Sequence, residues 1–145
     1  MADIRDTIRC VAVTDTISHL FVYGTLRKDV QHPMARLLGA RATHRGRAEA
    51  AGRLVDLGPY PGVVEGEGVV VGDLYRLDRE GRIDLLARLD AYEGCPRPGE
   101  GPGLFVRTTT TARMDDGDRV PCWIYHYARP VAPGRDVPSG DWLAR

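Results

Sequence analysis

Two short stretches combine a forced backbone turn with side chains able to do chemistry: Tyr23-Gly24-Thr25-Leu26 and, further along, Leu89-Asp90-Ala91-Tyr92-Glu93-Gly94-Cys95. In the first, a glycine ends the apolar run HLFVY. Lacking a Cβ, Gly24 lets backbone N–H groups converge on an anion or a developing oxyanion, and Thr25 adds a hydroxyl donor. In the second, Glu93 falls in the last turn of an amphipathic segment that Gly94 stops. The carbonyl end of a helix disfavours added negative charge, and desolvation by Tyr92 and its neighbours acts in the same direction. Both effects make the carboxylate a proton acceptor suited to neutral pH. Each stretch also has a plain alternative, an ordinary glycine turn and a solvated acid near a helix end.

Other reactive side chains form weaker constellations. Cys95 and His126 could make a nucleophilic pair and hence a thiol-dependent hydrolase, but Cys95 stands beside Pro96 and no third group orients the imidazole. A structural or surface cysteine is the simpler reading. The histidines His19, His32, His44 and His126 lack metal-ligand spacing. Cys10, Cys95 and Cys122 lack the CxxC pattern, which argues against a four-ligand zinc site and against a disulfide framework. The run GEGVVVG, residues 66–72, continues into more strand instead of opening a helix, so it does not read as a dinucleotide site. The run DDGD, residues 115–118, reads as a hairpin turn because the further ligands of a calcium loop are missing. Trp123, Tyr125 and Tyr127 alternate on one strand face, which suggests core packing first and a pocket wall second.

The elements that must carry the two stretches follow from hydrophobic period and punctuation. HLFVY reads as a buried first strand. Pro33 suits the first turn of a short helix, PMARLL, that Gly39 can close. Residues 41–56 are polar and irregular until GRLVDLG offers a strand leading into the turn GPYPG, residues 58–62. GVVVGDLYRLD is a second strand of this region. Asp78 is placed to cap a helix over REGRIDLLARLDAYEG, in which Ile83, Leu86 and Leu89, and Leu85, Leu89 and Tyr92, recur at helical spacing. The segment CPRPGEGPG, residues 95–103, is a loop and a candidate rim or lid. LFVRTTTTARM and VPCWIYHY flank the DDGD turn as an antiparallel pair, with Pro121 at an edge or strand-start position. Residues 1–18 read as an extension with a short strand at residues 10–13, and the tail from Ala128 as irregular. No internal repeat is present.

The chain has 145 residues with equal numbers of acidic and basic side chains, 20 of each, and so no net charge. That length suits one domain, and the neutral balance gives no general attraction to nucleic acid, a membrane surface or an acidic partner. No apolar run approaches a spanning helix, and the N-terminal stretch lacks the apolar core of a signal peptide. A cytoplasmic monomer is expected. Strands and helices do not alternate regularly enough for a doubly wound sheet, which leaves a small α+β domain.

Taken in order, FVYGTLR, LVDLGPYPGVV, GDLYRLD, LARLDAYEGC and LFVR followed by WIYHY resemble the γ-glutamylcyclotransferase-like family, which includes γ-glutamylamine cyclotransferases and AIG2-like proteins. The resemblance covers most of residues 19–127, with residues 1–18 extra and a domain running over 19–145. It implies a mixed barrel-like sheet with a few packed helices, and a pocket between the glycine turn and the helix-end glutamate. By motif, Glu93 is the expected catalytic base, and Tyr23, Gly24, Thr25 and Leu26 the expected substrate-holding loop. The implied reaction is intramolecular aminolysis of a γ-glutamyl amide, releasing 5-oxoproline and an amine, with no cofactor and no metal. Phe105 departs from a tyrosine that many relatives carry before the VR pair. The competing expectation is a catalytically idle module that binds a small metabolite or protein partner in the same pocket.

Overall fold

The computed structural model describes residues 17–28, 30–96, 100–101 and 103–145, so the short strand expected at residues 10–13 lies outside the described residues. Five strands close into a barrel in the order β1-β3-β2-β4-β5, with two helices packed on it. The strands are β1 (His19–Val22), β2 (Ala42–Asp56), β3 (Pro61–Leu77), β4 (Phe105–Met114) and β5 (Arg119–Tyr127). The helices are α1 (Pro33–Arg41) and α2 (Arg82–Glu93), followed near the C-terminus by a 3-10 turn, Trp142–Ala144. The expected α+β class and barrel-like sheet are therefore observed. No helix among the described residues is long and apolar enough to cross a membrane.

Strand β1 shows how the residues specify the layers. Side chains alternate across a strand, so Leu20 and Val22 face one way while Phe21 and Tyr23 face the other. Leu20 and Val22 join a cluster with Leu38 of α1 and Leu85, Leu86 and Leu89 of α2, the layer between helices and sheet. Phe21 and Tyr23 join Ala50, Leu74, Ala112 and Ile124, the barrel interior to which all five strands contribute. Because β1 is buried on both faces it reads as a continuous apolar run. It pairs antiparallel with β3, Phe21 opposite Leu74, and parallel with β5, Leu20 opposite Trp123. The last pairing closes the barrel.

Three expectations are corrected. The stretch read as irregular is the first part of the long strand β2, paired from Ala42 opposite Leu77 to Asp56 opposite Pro61. Its inward positions include Ala48 and Ala50, small residues that fit a narrow barrel but leave no hydrophobic alternation to read. Asp78 does not cap α2: the helix starts after Gly81, which has no side-chain cap, and Ile83 is 83 % exposed instead of facing the core. The first helix runs through Gly39 to Arg41. The hairpin of β4 and β5 forms as expected around its DDGD turn, with Thr111 opposite Pro121. Trp123 and Tyr125 are buried in the helix-facing cluster, and Tyr127 packs against it.

Candidate active site

Helix α2 ends at Glu93 because Gly94 adopts the left-handed conformation, φ 74°. The Cys95 amide then reaches back to the Asp90 carbonyl at 2.9 Å and the Gly94 amide to that of Ala91 at 3.2 Å. This pair of bonds is a Schellman closure, and it turns the chain sharply after the carboxylate. Across from it, the turn after β1 is held by the Arg27 amide on the Gly24 carbonyl, 3.1 Å. Between the two lies a cavity of about 180 Å³ whose wall includes Tyr23, Gly24, Thr25, Leu26 and Glu93. The two stretches that stood out for their chemistry therefore face one space. Tyr60 and Pro61 of the GPYPG turn, together with Tyr92, Leu104, Phe105 and Tyr125, make most of the rest of the wall apolar or aromatic. Tyr125 thus serves both core and pocket.

Burial pushes the Glu93 carboxyl from its ordinary 4.5 up to about 7, and the neighbouring Asp90 carboxylate adds to the rise. The upward direction was expected from the helix end and from Tyr92, but burial dominates and the second cause is a charge one turn back on the same helix. No hydrogen bond or ion pair holds the Glu93 carboxylate among the described residues, so it is left to act on whatever enters the cavity. Glu93 in turn raises the proton affinity of the buried Tyr23 phenol, after burial itself.

Gly24 is required by space, since a Cβ there would stand 2.9 Å from Pro61 Cγ and 3.0 Å from its Cδ. Tyr23 is anchored inward, its hydroxyl donating to the Tyr125 carbonyl and accepting from the Val63 amide at 3.3 Å. Thr25 Oγ1 lies 2.9 Å from the Tyr92 hydroxyl, tying the turn to α2. The far end of the turn is fixed by Arg27 and Asp73, both only 8 % exposed. Asp73 Oδ2 accepts from Arg27 Nε at 3.3 Å and from the Lys28 amide at 3.1 Å, while Oδ1 lies 3.1 Å from His44 Nε2. Arg27 Nη1 also donates to Asp141 Oδ1 at 2.6 Å.

Sequence reading missed these supports. Asp73 and Asp90 sit inside the quoted motifs, and Arg107 shares a strand face with the buried Phe105, a cation placed where it needs a partner. That partner is Asp90, at 2.8 Å. The suspected Cys95–His126 pair does not form. His126 Nδ1 is 2.6 Å from Thr108 Oγ1. The Cys95 thiol is pushed up to about 11 by burial and by the carboxylates of Asp90 and Glu93, the opposite of an activated thiolate. Residues 97–99 and 102 of the expected rim lie outside the described residues, although Leu104 just beyond them lines the cavity.

A closed five-stranded barrel with two packed helices is the architecture of a known family. The profile described as "Gamma-glutamyl cyclotransferase, AIG2-like" covers residues 20–144, and the chain belongs to that family. It is 36 % identical over 130 residues to the γ-glutamylcyclotransferase family protein YtfP of Escherichia coli K12, covering 87 % of this chain and 96 % of that one. It is 29 % identical over 126 residues to the γ-glutamylaminecyclotransferase of Rattus norvegicus, covering 77 % and 79 %. The crystal structure of an AIG2-like protein of Mus musculus superposes with a TM-score of 0.65 at 26 % identity, over 87 % of this chain and 88 % of that one.

Proposed function

We propose that this protein is a γ-glutamylcyclotransferase that converts a γ-glutamyl amide into 5-oxoproline and a free amine, with Glu93 as general base and then general acid. The observation that carries the reading is a carboxyl whose proton affinity lies near 7, set in the wall of a cavity opposite the turn of residues 23–26. Family membership and the name of the rat relative support the reaction class. The substrate's α-ammonium gives a proton to Glu93, and the freed amine attacks its own γ-carbonyl carbon. A tetrahedral intermediate forms. Its collapse breaks the original amide C–N bond; the departing nitrogen takes the proton held by Glu93 and the second proton of the ring nitrogen and leaves as an ammonium, so no proton is gained or lost overall.

Nucleophile and electrophile share one molecule, so the protein's tasks are to fold the glutamyl chain and to stabilise the developing oxyanion. No lysine, arginine or histidine is among the described residues of the cavity wall. Neutral donors for the anionic end of the substrate are supplied on the described wall by the backbone amides of Gly24, Thr25 and Leu26 and by the Thr25 hydroxyl. The apolar wall keeps water scarce, which strengthens those hydrogen bonds.

The test is mass-spectrometric detection of 5-oxoproline after incubating the wild-type protein and Glu93→Gln with a panel of γ-glutamyl amino acids and γ-glutamyl amines. Wild type is expected to release 5-oxoproline, and the variant to turn over at least about 100-fold more slowly, the usual size of a general-base contribution. Equal rates in the two proteins sink the role of Glu93. No product from folded wild type on any member of the panel overturns the reaction and favours a binding module.

A further inference from the structure

Asp90 and Glu93 stand three residues apart on α2 and therefore project from the same face. From β4, Arg107 meets Asp90 with a fork of two bonds, Nε to Oδ1 at 2.8 Å and Nη2 to Oδ2 at 3.1 Å. Its guanidinium lies over the Trp123 ring, 4.3 Å from the centroid. The Tyr125 hydroxyl also donates to Asp90 Oδ1, at 2.7 Å, and the Tyr125 carbonyl accepts from the Tyr23 hydroxyl. A continuous line of polar contacts thus runs from β4 through the end of α2 and through β5 to the turn that opens the cavity.

We propose that Arg107 is a positioning residue for the reaction: by gripping Asp90 it fixes the end of α2 against β4 and β5, and it offsets the negative charge that Asp90 places beside Glu93. The inference rests on the cyclotransferase reading above. Geometry supports the mechanical half. A planar fork stacked on an indole holds a carboxylate in one orientation, which a lysine on the same strand could not do. The pair is largely shielded, its side chains 20 % and 26 % exposed, so its charges are less screened than those of a surface ion pair.

The electrostatic half follows from what surrounds Glu93. Asp90 is the second cause, after burial, of the raised proton affinity of Glu93. The other titratable groups facing this spot among the described residues are Tyr23 from the turn after β1, Cys95 beyond α2 and Tyr125 from β5. All three have raised proton affinities and are neutral near pH 7. Among the described residues, Arg107 is the cation beside two of these groups, opposing the rise at both Cys95 and Tyr125. Removing the charge of Asp90 while keeping its shape should therefore loosen the hold of Glu93 on its proton. Removing Arg107 leaves Asp90 uncompensated and should tighten that hold.

The opposite signs make the test. The side-chain carboxyl of Glu93 is titrated by 13C NMR in wild type, Asp90→Asn, Arg107→Met and Arg107→Lys, with Glu93→Gln used to assign the resonance, and kcat and KM for 5-oxoproline release are measured in parallel. The midpoint is expected to fall by roughly half to one pH unit in Asp90→Asn and to rise by a similar amount in Arg107→Met, the size of one uncompensated charge in a shielded site. Arg107→Lys keeps the charge and should titrate near wild type, while kcat drops roughly tenfold with KM little changed because the fork is lost. A brace without electrostatic influence moves no midpoint, and that result overturns the proposal, as does movement of Asp90→Asn and Arg107→Met in the same direction. Should Arg107→Met not fold, an unmoved or raised midpoint in Asp90→Asn is sufficient to overturn it. The titration does not depend on turnover, so absence of 5-oxoproline from wild type removes the reaction itself, separately from the coupling of Asp90, Arg107 and Glu93.

Discussion

Glu93 costs the fold stability whenever it is ionised. Its proton affinity is raised from 4.5 to about 7 in the folded chain, chiefly by burial, so the native state binds this proton more tightly than the unfolded chain does. The favourable contribution is complete below pH 4.5 and is lost as pH rises through about 7. Glutamine is a permanent neutral mimic. Thermal or urea denaturation of wild type and Glu93→Gln is expected to give similar stabilities near pH 4.5, and a variant more stable than wild type by on the order of 1–3 kcal/mol at pH 8. A difference independent of pH would mean that the carboxyl is not desolvated as described. With Glu93 in the proposed role of base, kcat/KM should fall about tenfold per pH unit below about 7, because the carboxyl is then protonated.

At the scale of elements, the site depends on three pieces meeting end to end: the turn after β1, the start of β3 and the last turn of α2. The first two touch where Gly24 packs on Pro61, and the turn joins α2 where Thr25 meets Tyr92. His32 adds a link, since its Nδ1 accepts the Met34 amide to cap α1 while its Nε2 lies 3.4 Å from the Tyr92 hydroxyl. A branched side chain at Gly24 cannot fit without moving either the turn or Pro61. Gly24→Val is therefore expected to fold with a displaced turn and to raise KM by tenfold or more, roughly the effect of misplacing a substrate-positioning group. Wild-type KM in a folded Gly24→Val protein would remove the turn from the site.

At the scale of the whole molecule, the C-terminal tail acts as part of the barrel and not as a trailing end. Trp142 is 6 % exposed and joins Val137 in the barrel-interior cluster, and the tail pairs with β2 through Val55 and Asp136. Asp141 caps the 3-10 turn at the Leu143 amide and also accepts from Arg27, so the tail reaches the base of the turn after β1. Trp142→Ala should cost about 3–5 kcal/mol by leaving a hole at the barrel end, read as a lower urea midpoint. If the tail also steadies the turn, as the Arg27–Asp141 bond implies, KM should rise in that variant while kcat changes less.

Local features were legible from residues alone, because they depend on what lies nearby in the chain. The buried strand β1, the Gly94 stop of α2, the β4–β5 hairpin and the two stretches around Gly24 and Glu93 all announce themselves by period, punctuation and residue type. The likeness of their order to a family supplied the barrel-like sheet. The first part of strand β2 stayed hidden because its inward positions are small rather than apolar and bulky, and the start of α2 was misplaced because its cap is a left-handed glycine instead of Asp78. The partnerships of Asp90 with Arg107 and of Asp73 with Arg27 join residues distant in the chain, and they exist only once the barrel closes. So does the desolvation of Glu93, since burial is a property of what surrounds a residue in space, and no neighbour in the sequence supplies most of that surrounding.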